Sequence, residues 1–238
     1  MLSSSAIKLI NSLKKKKFRS QHQKFIVEGA KSVGEVVKEI PTYIDTIYVT
    51  EDEYIRKYTG FNCVLISERE MKSISDLKTP TQILAIVNYF EVKSPSSSPL
   101  TLALDSIQDP GNFGTIIRIA DWFGVSKIIC SKETVDCYNS KVVQATMGSL
   151  FRCSIEYTNL EEYLERHEGE IIGAFMDGEP MKNVEIKNDS ILVMGNEGNG
   201  ISDKISKLIT KKITIPGSGN AESLNVGVAT GILVSHLV

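Results

Sequence analysis

The segment SILVMGNEGNG, residues 190–200, places a glycine-rich loop directly after a short apolar run. A second pair of this kind follows, since the apolar run at residues 212–215 leads into IPGSGNAESLNVGV, residues 215–228. A third polar segment, NFGTIIR at residues 112–118, also lies beyond a short apolar run. Such runs are typical of buried strands in α/β sheets, which bind ligands at the carboxyl ends of their strands. The three segments therefore predict one active site at a sheet edge, with room for a nucleotide-like cofactor.

The chain has 238 residues, of which 42% are apolar, and its net charge is −2. This length and composition are enough for a substantial buried core, in one large domain or two modest ones. No apolar run reaches the roughly 18–20 residues that a membrane span needs, and the N-terminus lacks the pattern of a cleavable secretory signal. We therefore expect a cytoplasmic protein that does not enter a membrane.

The four cysteines are Cys63, Cys130, Cys137 and Cys153. They form no C-x-x-C pair, and no histidine lies at ligand spacing from them. This scatter favours reduced thiols over disulfides or a zinc site. We expect no metal.

The N-terminus is locally basic. Residues 1–27 contain seven Lys or Arg and no Asp or Glu. Such a segment suits a polyanionic partner. A solvated, lysine-rich helix end explains the charge equally well, so charge alone leaves both interpretations open.

The clearest break in the sequence is SPSSSP at residues 94–99, which predicts a linker between domains at 1–93 and 100–238. Helical and β-rich patterns alternate in the first domain, which predicts a small α/β domain. Its clearest predicted elements are helices 3–13 and 30–39 and strands 46–49 and 62–66.

In the second domain, strands and helices alternate again, which favours a mostly parallel sheet with helices on both faces. The last helix is predicted to begin at about Ser223. Gly227 and Gly231 lie on one face of it, and because interior glycine costs about 0.5–1 kcal/mol relative to alanine, they predict a close approach of backbone or ligand. The apolar C-terminus packs either on its own domain or on a second subunit. The other predicted elements are strands 100–104, 127–130, 171–175 and 191–194 and helices 112–123 and 140–150.

Two common nucleotide-binding motifs are absent. Gly195, Gly198 and Gly200 do not match G-x-G-x-x-G, and no glycine is followed by Lys and then Ser or Thr. This argues against dinucleotide oxidoreductases and phosphate-loop enzymes.

The three segments resemble, in order, spacing and residue type, the three motifs of the SpoU (TrmH) family of RNA ribose 2′-O-methyltransferases, in the SPOUT group. The matching stretches are DPGNFG at residues 109–114 continuing to Arg118, MGNEGNG at 194–200, and IP at 215–216 through ESLNV at 222–226. Residues 24–37, KFIVEGAKSVGEVV, also resemble the start of the family's N-terminal RNA-binding domain, which is similar to a ribosomal protein fold. The resemblance covers the whole second domain.

The resemblance implies S-adenosylmethionine as cofactor, a deep trefoil knot in the second domain, and a homodimer whose second subunit completes each active site. By the same resemblance, main-chain groups of Gly195, Ile215 and Leu224 would hold the cofactor. Gly198 and Gly200 would let it approach, because a side chain would block the backbone.

The resemblance also assigns the reacting groups. Arg118 would activate the ribose hydroxyl, and we expect it to act as a cation that lowers the pKa of the hydroxyl, since a guanidinium holds its proton. Three other residues also have a simpler interpretation: Asn112 as a helix N-cap, Glu197 as a carboxylate at a helix N-terminus, and Ser223 as the cap of the last helix. The expected catalytic residues are Arg118, Asn112, Glu197, Asn225 and Ser223.

RNA is the expected partner, because the reaction uses the 2′-hydroxyl that DNA lacks. Large-subunit rRNA is the first expectation and tRNA the second, and a non-catalytic RNA-binding ribosome-assembly factor is the alternative. Gly217 and Gly227 depart from the residues common in the family, at positions without a proposed catalytic role. The expected phosphate contacts are Lys14, Lys15, Lys16, Lys17 and Arg19.

Overall fold

The computed structural model describes residues 2–92, 98, 100–187 and 189–238. Apart from Ser98, the predicted linker at 94–99 lies outside the described residues. The chain forms two compact units, one of Met1–Glu91 with Asp136–Phe151 and the other of Val92–Val135 with Arg152–Val238. Within the described residues, no helix combines the length and apolar character that a membrane crossing requires.

The first unit is built on a four-stranded sheet. Its elements are α1 (Ser4–Ser12), α2 (Lys16–His22), β1 (Lys24–Glu28), α3 (Ala30–Glu39), β2 (Ile44–Val49), α4 (Asp52–Lys57), β3 (Cys63–Leu65), α5 (Glu68–Ile74) and β4 (Ile83–Asn88). The strand order is β1-β4-β2-β3, with β4 antiparallel to both of its neighbours and β3 parallel to β2. Helix α5 begins with a capping box, since Ser67 and Glu70 exchange side-chain and main-chain hydrogen bonds. These bonds lower the pKa of Glu70 to about 2.

The second unit is built on a six-stranded sheet. The elements from residue 100 onward are β5 (Leu100–Leu104), α6 (Pro110–Trp122), β6 (Lys127–Ser131), α7 (Ser140–Thr146), β7 (Ser154–Thr158), α8 (Leu160–Glu165), β8 (Ile171–Pro180), β9 (Ser190–Met194), α9 (Asp203–Ser206), β10 (Lys211–Thr214) and α10 (Val226–Leu237). The strand order is β10-β8-β9-β5-β6-β7, and every neighbouring pair is parallel. This confirms the predicted parallel sheet, although the sequence pattern did not reveal β7.

The segment Asp136–Phe151 belongs to the first unit, although it lies between two strands of the second sheet in the sequence. Its Asp136 pairs with Arg19 at 2.5 Å, and both side chains are largely buried. The ring of Tyr138 stacks on that of Tyr89, with centroids 4.1 Å apart. The segment is thus held by a buried ion pair and aromatic packing, two contacts that join residues far apart in the chain.

The helix predicted at 112–123 begins earlier, at Pro110. Asp109 is its N-cap, since its carboxylate accepts a hydrogen bond from the Asn112 main-chain nitrogen, and Pro110 occupies the first turn. The simpler interpretation of Asn112, that it caps this helix, is therefore wrong. Its side chain is free for other contacts because Asp109 already serves the helix start.

The last helix begins at Val226 rather than at about Ser223. Asn225 is its N-cap and accepts from the main-chain nitrogens of Gly227 and Val228 at 2.9 and 3.2 Å. The simpler interpretation of Ser223, that it caps this helix, is therefore wrong, because Ser223 lies in the preceding loop.

Close packing of α10 on α6 explains the two glycines of the last helix. A Cβ on Gly227 would lie 3.1 Å from the Thr115 methyl carbon, and one on Gly231 would lie 3.3 Å from Ile119. Both distances are tighter than ordinary contact. The approach predicted from the glycine spacing is therefore one between two helices.

Candidate active site

Two parallel strands bring the polar segments at residues 112–118 and 195–200 to one edge of the second sheet. Strands β5 and β9 are neighbours in register, with Leu104 opposite Met194. Directly beyond them, the Asp105 main-chain nitrogen donates to the Met194 carbonyl oxygen at 2.9 Å. The buried Asp105 carboxylate accepts from the Ser202 nitrogen at 2.8 Å. Asp105 thereby fixes both ends of the glycine-rich loop at 195–200.

The glycine-rich loop closes on itself. Asn196 and Gly200 exchange two main-chain hydrogen bonds of 2.9 Å. A Cβ on Gly195 would lie 2.2 Å from the Gly200 carbonyl carbon, so only glycine fits there. Gly200 has a φ of +69°, which also favours glycine. For Gly195 and Gly200, the loop's own geometry therefore explains the glycine without a cofactor.

Gly198 is different, because a Cβ there would meet no atom closer than 3.6 Å. The space over this residue is open. Asn196 stabilises the loop, because its side-chain oxygen accepts from the Gly198 and Asn199 main-chain nitrogens. The Asn196 amide nitrogen donates to the Ser106 carbonyl oxygen at 2.8 Å. A ligand at Gly198 would meet a pre-formed main-chain surface.

Three residues predicted to be catalytic form one chain of hydrogen bonds. The Asn112 amide nitrogen donates to Glu197 Oε1 at 3.0 Å. The Asn225 amide nitrogen donates to Asn112 Oδ1 at 2.8 Å. The first turn of α6, the glycine-rich loop and the start of α10 therefore meet at Asn112.

These hydrogen bonds give the polar groups of Asn112, Asn225 and Glu197 a defined orientation. Asn112 uses its oxygen toward Asn225 and its nitrogen toward Glu197, while the Asn225 oxygen caps α10. Glu197 Oε1 also accepts from the Asp109 main-chain nitrogen at 3.3 Å, so its negative charge lies at the N-terminus of α6. That position is favourable for an anion. The simpler interpretation of Glu197, a carboxylate at a helix N-terminus, is therefore confirmed, and its catalytic role stays a prediction.

Arg118 is not part of this series of hydrogen bonds. It is six residues after Asn112 on α6, which places it about 240° further round the helix and about 9 Å along its axis. Its side chain is exposed and has no hydrogen bond or ion pair with the rest of the described chain. The structure does not bring the Arg118 guanidinium together with Asn112 and Glu197.

The polar segment at residues 215–225 forms an exposed loop after β10. Ile215 is half-buried and Leu224 is 48% exposed. In the described part of the chain, no hydrogen bond involves the main-chain groups of residues 215–224. These free main-chain donors and acceptors, together with the open space over Gly198, fit a cofactor held by backbone contacts. Ser223 lies in this loop, exposed, and makes no side-chain hydrogen bond to a described residue.

The basic segment of the first unit divides into two groups. Lys15, Lys16 and Lys17 are exposed, whereas the Lys14 ammonium group donates to the Ser75 carbonyl oxygen at 2.8 Å. Arg19 is 2% exposed. It donates to Asp136 and to the Leu13 carbonyl oxygen. The prediction that Arg19 contacts RNA phosphate is therefore wrong, because its guanidinium is buried and each of its nitrogens donates a hydrogen bond within the first unit.

Sequence reasoning missed three residues that build the site, namely Asp105, Asp109 and Asn196. A signal was present for Asp109, since Asp followed by Pro and then a helical pattern is typical of an N-cap with Pro in the first turn. Asp105 directly follows a buried strand, which is also a position favoured by site residues. Nothing local distinguishes Asn196 from Asn199, the other asparagine of the loop.

The fold and this edge of the sheet define a methylase of the SpoU type. Residues 99–235 match the SpoU rRNA Methylase family, and residues 4–85 match the MRM3-like substrate binding domain. The chain belongs to the SpoU rRNA Methylase family, which confirms the family predicted from the three motifs.

Individual relatives cover nearly the whole chain. The chain is 33% identical over 228 residues to the 23S rRNA (guanosine(2553)-2′-O)-methyltransferase RlmP of Bacillus subtilis, covering 93% of this chain and 91% of that protein. A TrmH-family structure from Porphyromonas gingivalis matches with a TM-score of 0.88 and 38% identity, over 99% of this chain and 98% of that one. The AdoMet-bound rRNA methyltransferase of Sinorhizobium meliloti matches with a TM-score of 0.86 and 29% identity, over 99% and 95%.

Proposed function

We propose that the protein is an S-adenosylmethionine-dependent RNA methyltransferase that transfers a methyl group to a ribose 2′-hydroxyl, in large-subunit rRNA. The observation that carries the proposal is the hydrogen-bonded chain from Glu197 through Asn112 to Asn225, which joins the three family motifs at one edge of the sheet. Family membership, the similarity to RlmP and the AdoMet-bound relative support the same reaction and cofactor.

S-adenosylmethionine, when bound, supplies the methyl group on a positively charged sulfur. The protein must then align the ribose oxygen with that methyl carbon and assist loss of the hydroxyl proton. Main-chain groups at Gly195, Gly198, Ile215 and Leu224 would hold the cofactor, as the free loop backbone suggests. Positioning of this kind contributes several kcal/mol to a rate enhancement.

The Glu197 carboxylate supplies the acceptor at the reacting hydroxyl. Its Oε1 accepts from Asn112 and from the Asp109 nitrogen, while Oε2 accepts, among the described residues, one long hydrogen bond of 3.4 Å from the Asn196 amide nitrogen. Oε2 is thus available to accept a hydrogen bond from the ribose. Arg118 would then act as a cation that binds the flanking phosphate and stabilises the developing oxyanion.

The isolated position of Arg118 supports a homodimer in which each protomer supplies this arginine to the site of its partner. The α6 and α10 surface also exposes apolar side chains, with Trp122 at 84%, Val228 at 52% and Val238 at 48% exposure. Contiguous exposed apolar patches mark protein interfaces, and the proposal takes these side chains as parts of one such patch. A second copy of the chain is the occupant that would both cover them and complete the site.

A deep trefoil knot is part of the proposal. In the sheet, β10 lies at one edge beside β8, although β9 precedes it in the sequence. The two strands are so close that a Cβ on Gly178 would lie 2.5 Å from the Ile213 carbonyl carbon. A knotted C-terminal segment would need this strand order, in which the chain passes from β9 to the far side of β8 to form β10.

The domain at residues 1–93 would bind the RNA, supported by its match to a substrate binding domain and by exposed Lys15, Lys16 and Lys17. Large-subunit rRNA is favoured over tRNA because RlmP, which the chain resembles over nearly its full length, is named for 23S rRNA. A cytoplasmic location remains a prediction.

The test is transfer of labelled methyl from S-adenosylmethionine to total RNA from a strain that lacks the gene, followed by mapping of the labelled nucleotide. A 2′-O-methyl ribose in 23S rRNA is the expected product. Label in tRNA would change the assigned substrate from rRNA to tRNA, while the proposed reaction would stand. Cofactor binding without methyl transfer to RNA or to partly assembled ribosomal subunits would favour the non-catalytic assembly factor.

A further inference from the structure

The first unit contains a pocket of about 290 Å³ at the meeting of β1 and α7. Its apolar wall includes Ile26, Leu77 and Val143, and its polar lining includes Glu28 and Gln144. The volume lies near the lower end of the roughly 300–1,000 Å³ typical of small-molecule sites. The pocket therefore has room for one small planar group with a polar edge.

Glu28 shapes the pocket from within. Its side chain is 4% exposed, and its two oxygens accept from the Ser75 hydroxyl at 2.5 Å and the Asp76 main-chain nitrogen at 2.9 Å. These bonds hold the turn that places Asp76 and Leu77 at the pocket. Burial raises the pKa of Glu28, with the two hydrogen bonds acting in the opposite direction.

The opposite side is formed by α7. Ser140 donates its hydroxyl hydrogen to the Asp76 carboxylate, which ties the helix start to the turn. The Gln144 side-chain amide has no hydrogen-bond partner in the described part of the chain, and neither does the exposed Lys141 ammonium group. The pocket thus combines an unpaired amide, a cation and two carboxylates.

We propose that this pocket binds one unpaired nucleobase of the substrate RNA, with the Gln144 amide paired to the base edge. The inference rests on the proposed RNA-methyltransferase function and adds a recognition site to it. The apolar wall would contact the base faces, and Lys141 would contact a neighbouring phosphate, as in sites that bind splayed-out bases.

The lining favours a base that carries an exocyclic amine. Glu28 and Asp76 provide acceptor oxygens, and an amino group that gives one hydrogen to the Gln144 oxygen has its second hydrogen left for one of them. Cytosine has such an amine and uracil has a carbonyl oxygen in its place. Because the two bases have nearly the same size, a difference between their affinities reports on hydrogen bonding and not on how well each base fits the pocket.

The test is a titration of the full-length, ¹⁵N-labelled protein with CMP and with UMP, followed by NMR. Saturating S-adenosylhomocysteine keeps the cofactor site filled, so that nucleotide shifts report on other sites. We expect CMP to shift the amides of residues 76–77 and 140–145 and to bind about tenfold more tightly than UMP, in line with one paired base edge. Absence of shifts at these residues, or equal affinity for both nucleotides, would overturn the proposal.

Variants connect the pocket to catalysis. Gln144→Leu and Gln144→Glu should each weaken CMP binding and raise the KM for substrate RNA about tenfold, with kcat unchanged. Gln21→Leu is the matched control, since Gln21 is an exposed glutamine outside the pocket. If wild-type protein methylates RNA and both Gln144 variants keep its KM, the pocket inference fails while the function stands. If wild-type protein methylates no RNA, the proposed function fails before any variant is compared.

Discussion

Asn225 donates its amide hydrogen to Asn112 across 2.8 Å, joining residues that are 113 positions apart in the sequence. The same Asn225 side chain caps α10 through its oxygen. One residue thus sets both the start of the last helix and the orientation of Asn112. Because Asn112 in turn donates to Glu197, a disturbance at Asn225 should reach the proposed acceptor carboxylate.

Asn225→Asp separates the two roles of this residue. The aspartate keeps an oxygen that can cap α10 but loses the donor to Asn112 and faces its oxygen instead. We expect a thermal midpoint close to that of wild type, with kcat at least tenfold lower, measured by methyl transfer to RNA. Asn225→Ala, which also removes the cap, should cost about 1 kcal/mol of unfolding free energy in addition. Full activity in the aspartate variant would show that the Asn225 amide has no role in catalysis.

Mixed dimers test whether Arg118 acts in the partner's site. Arg118→Ala and Asn112→Ala homodimers should both be nearly inactive. If Arg118 crosses the interface, a mixed dimer has one site with both residues intact, so an equal mixture with random exchange should recover roughly a quarter of wild-type activity. If Arg118 serves its own protomer, every site lacks one residue and the mixture stays inactive. Methyl transfer before and after refolding the mixed subunits distinguishes the two results.

Trp122 tests the proposed dimer surface. Its side chain is 84% exposed on α6, so Trp122→Glu should leave the fold of the protomer intact while placing a charge in an apolar interface. We expect the molar mass from light scattering to fall from that of a dimer toward that of a monomer, with loss of activity. Met176→Glu is a useful control, because Met176 is an exposed apolar residue on β8 rather than on α6 or α10. A Trp122→Glu protein that remains dimeric would place the interface elsewhere.

Exposed lysines and buried Arg19 should behave differently toward RNA. Replacing Lys15, Lys16 and Lys17 with Gln should weaken RNA binding and flatten its salt dependence, by about 0.7–0.9 in logarithmic slope for each phosphate that the protein no longer neutralises. S-adenosylmethionine affinity should stay unchanged. Binding isotherms at several salt concentrations measure the slope, and identical slopes for variant and wild type would exclude these lysines as phosphate-binding groups.

Arg19→Met should act on stability instead. It leaves Asp136 buried without its ion-pair partner, a change that typically costs about 3–5 kcal/mol. Denaturant unfolding should show this decrease in stability, while the salt slope of RNA binding for the remaining folded protein matches wild type. Asp136→Asn in the same background should recover part of the stability, because it removes the unpaired charge. A changed salt dependence of RNA binding with normal stability would instead show that Arg19 contacts RNA phosphate.

Local patterns predicted much of the second unit, because buried strands and the polar segments after them are encoded by adjacent residues. The strand at Leu100–Leu104 has the predicted bounds, and Ser190–Met194 lies within one residue of its prediction. Helix starts were less well predicted. Asp109 and Asn225 proved to be the caps, since a cap depends on which of several suitable residues the turn places at the helix end.

The sequence by itself determined the family and the order of its three motifs, because glycine and amide residues at set spacings carry that information locally. Only the tertiary structure decided which of those residues meet. It joined Asn112 to Glu197 and Asn225, left Arg118 outside the chain of hydrogen bonds, and buried Arg19 against Asp136. The physical reason is that hydrogen bonds and ion pairs act over about 3 Å, and only the folded backbone brings residues so distant in the sequence that close.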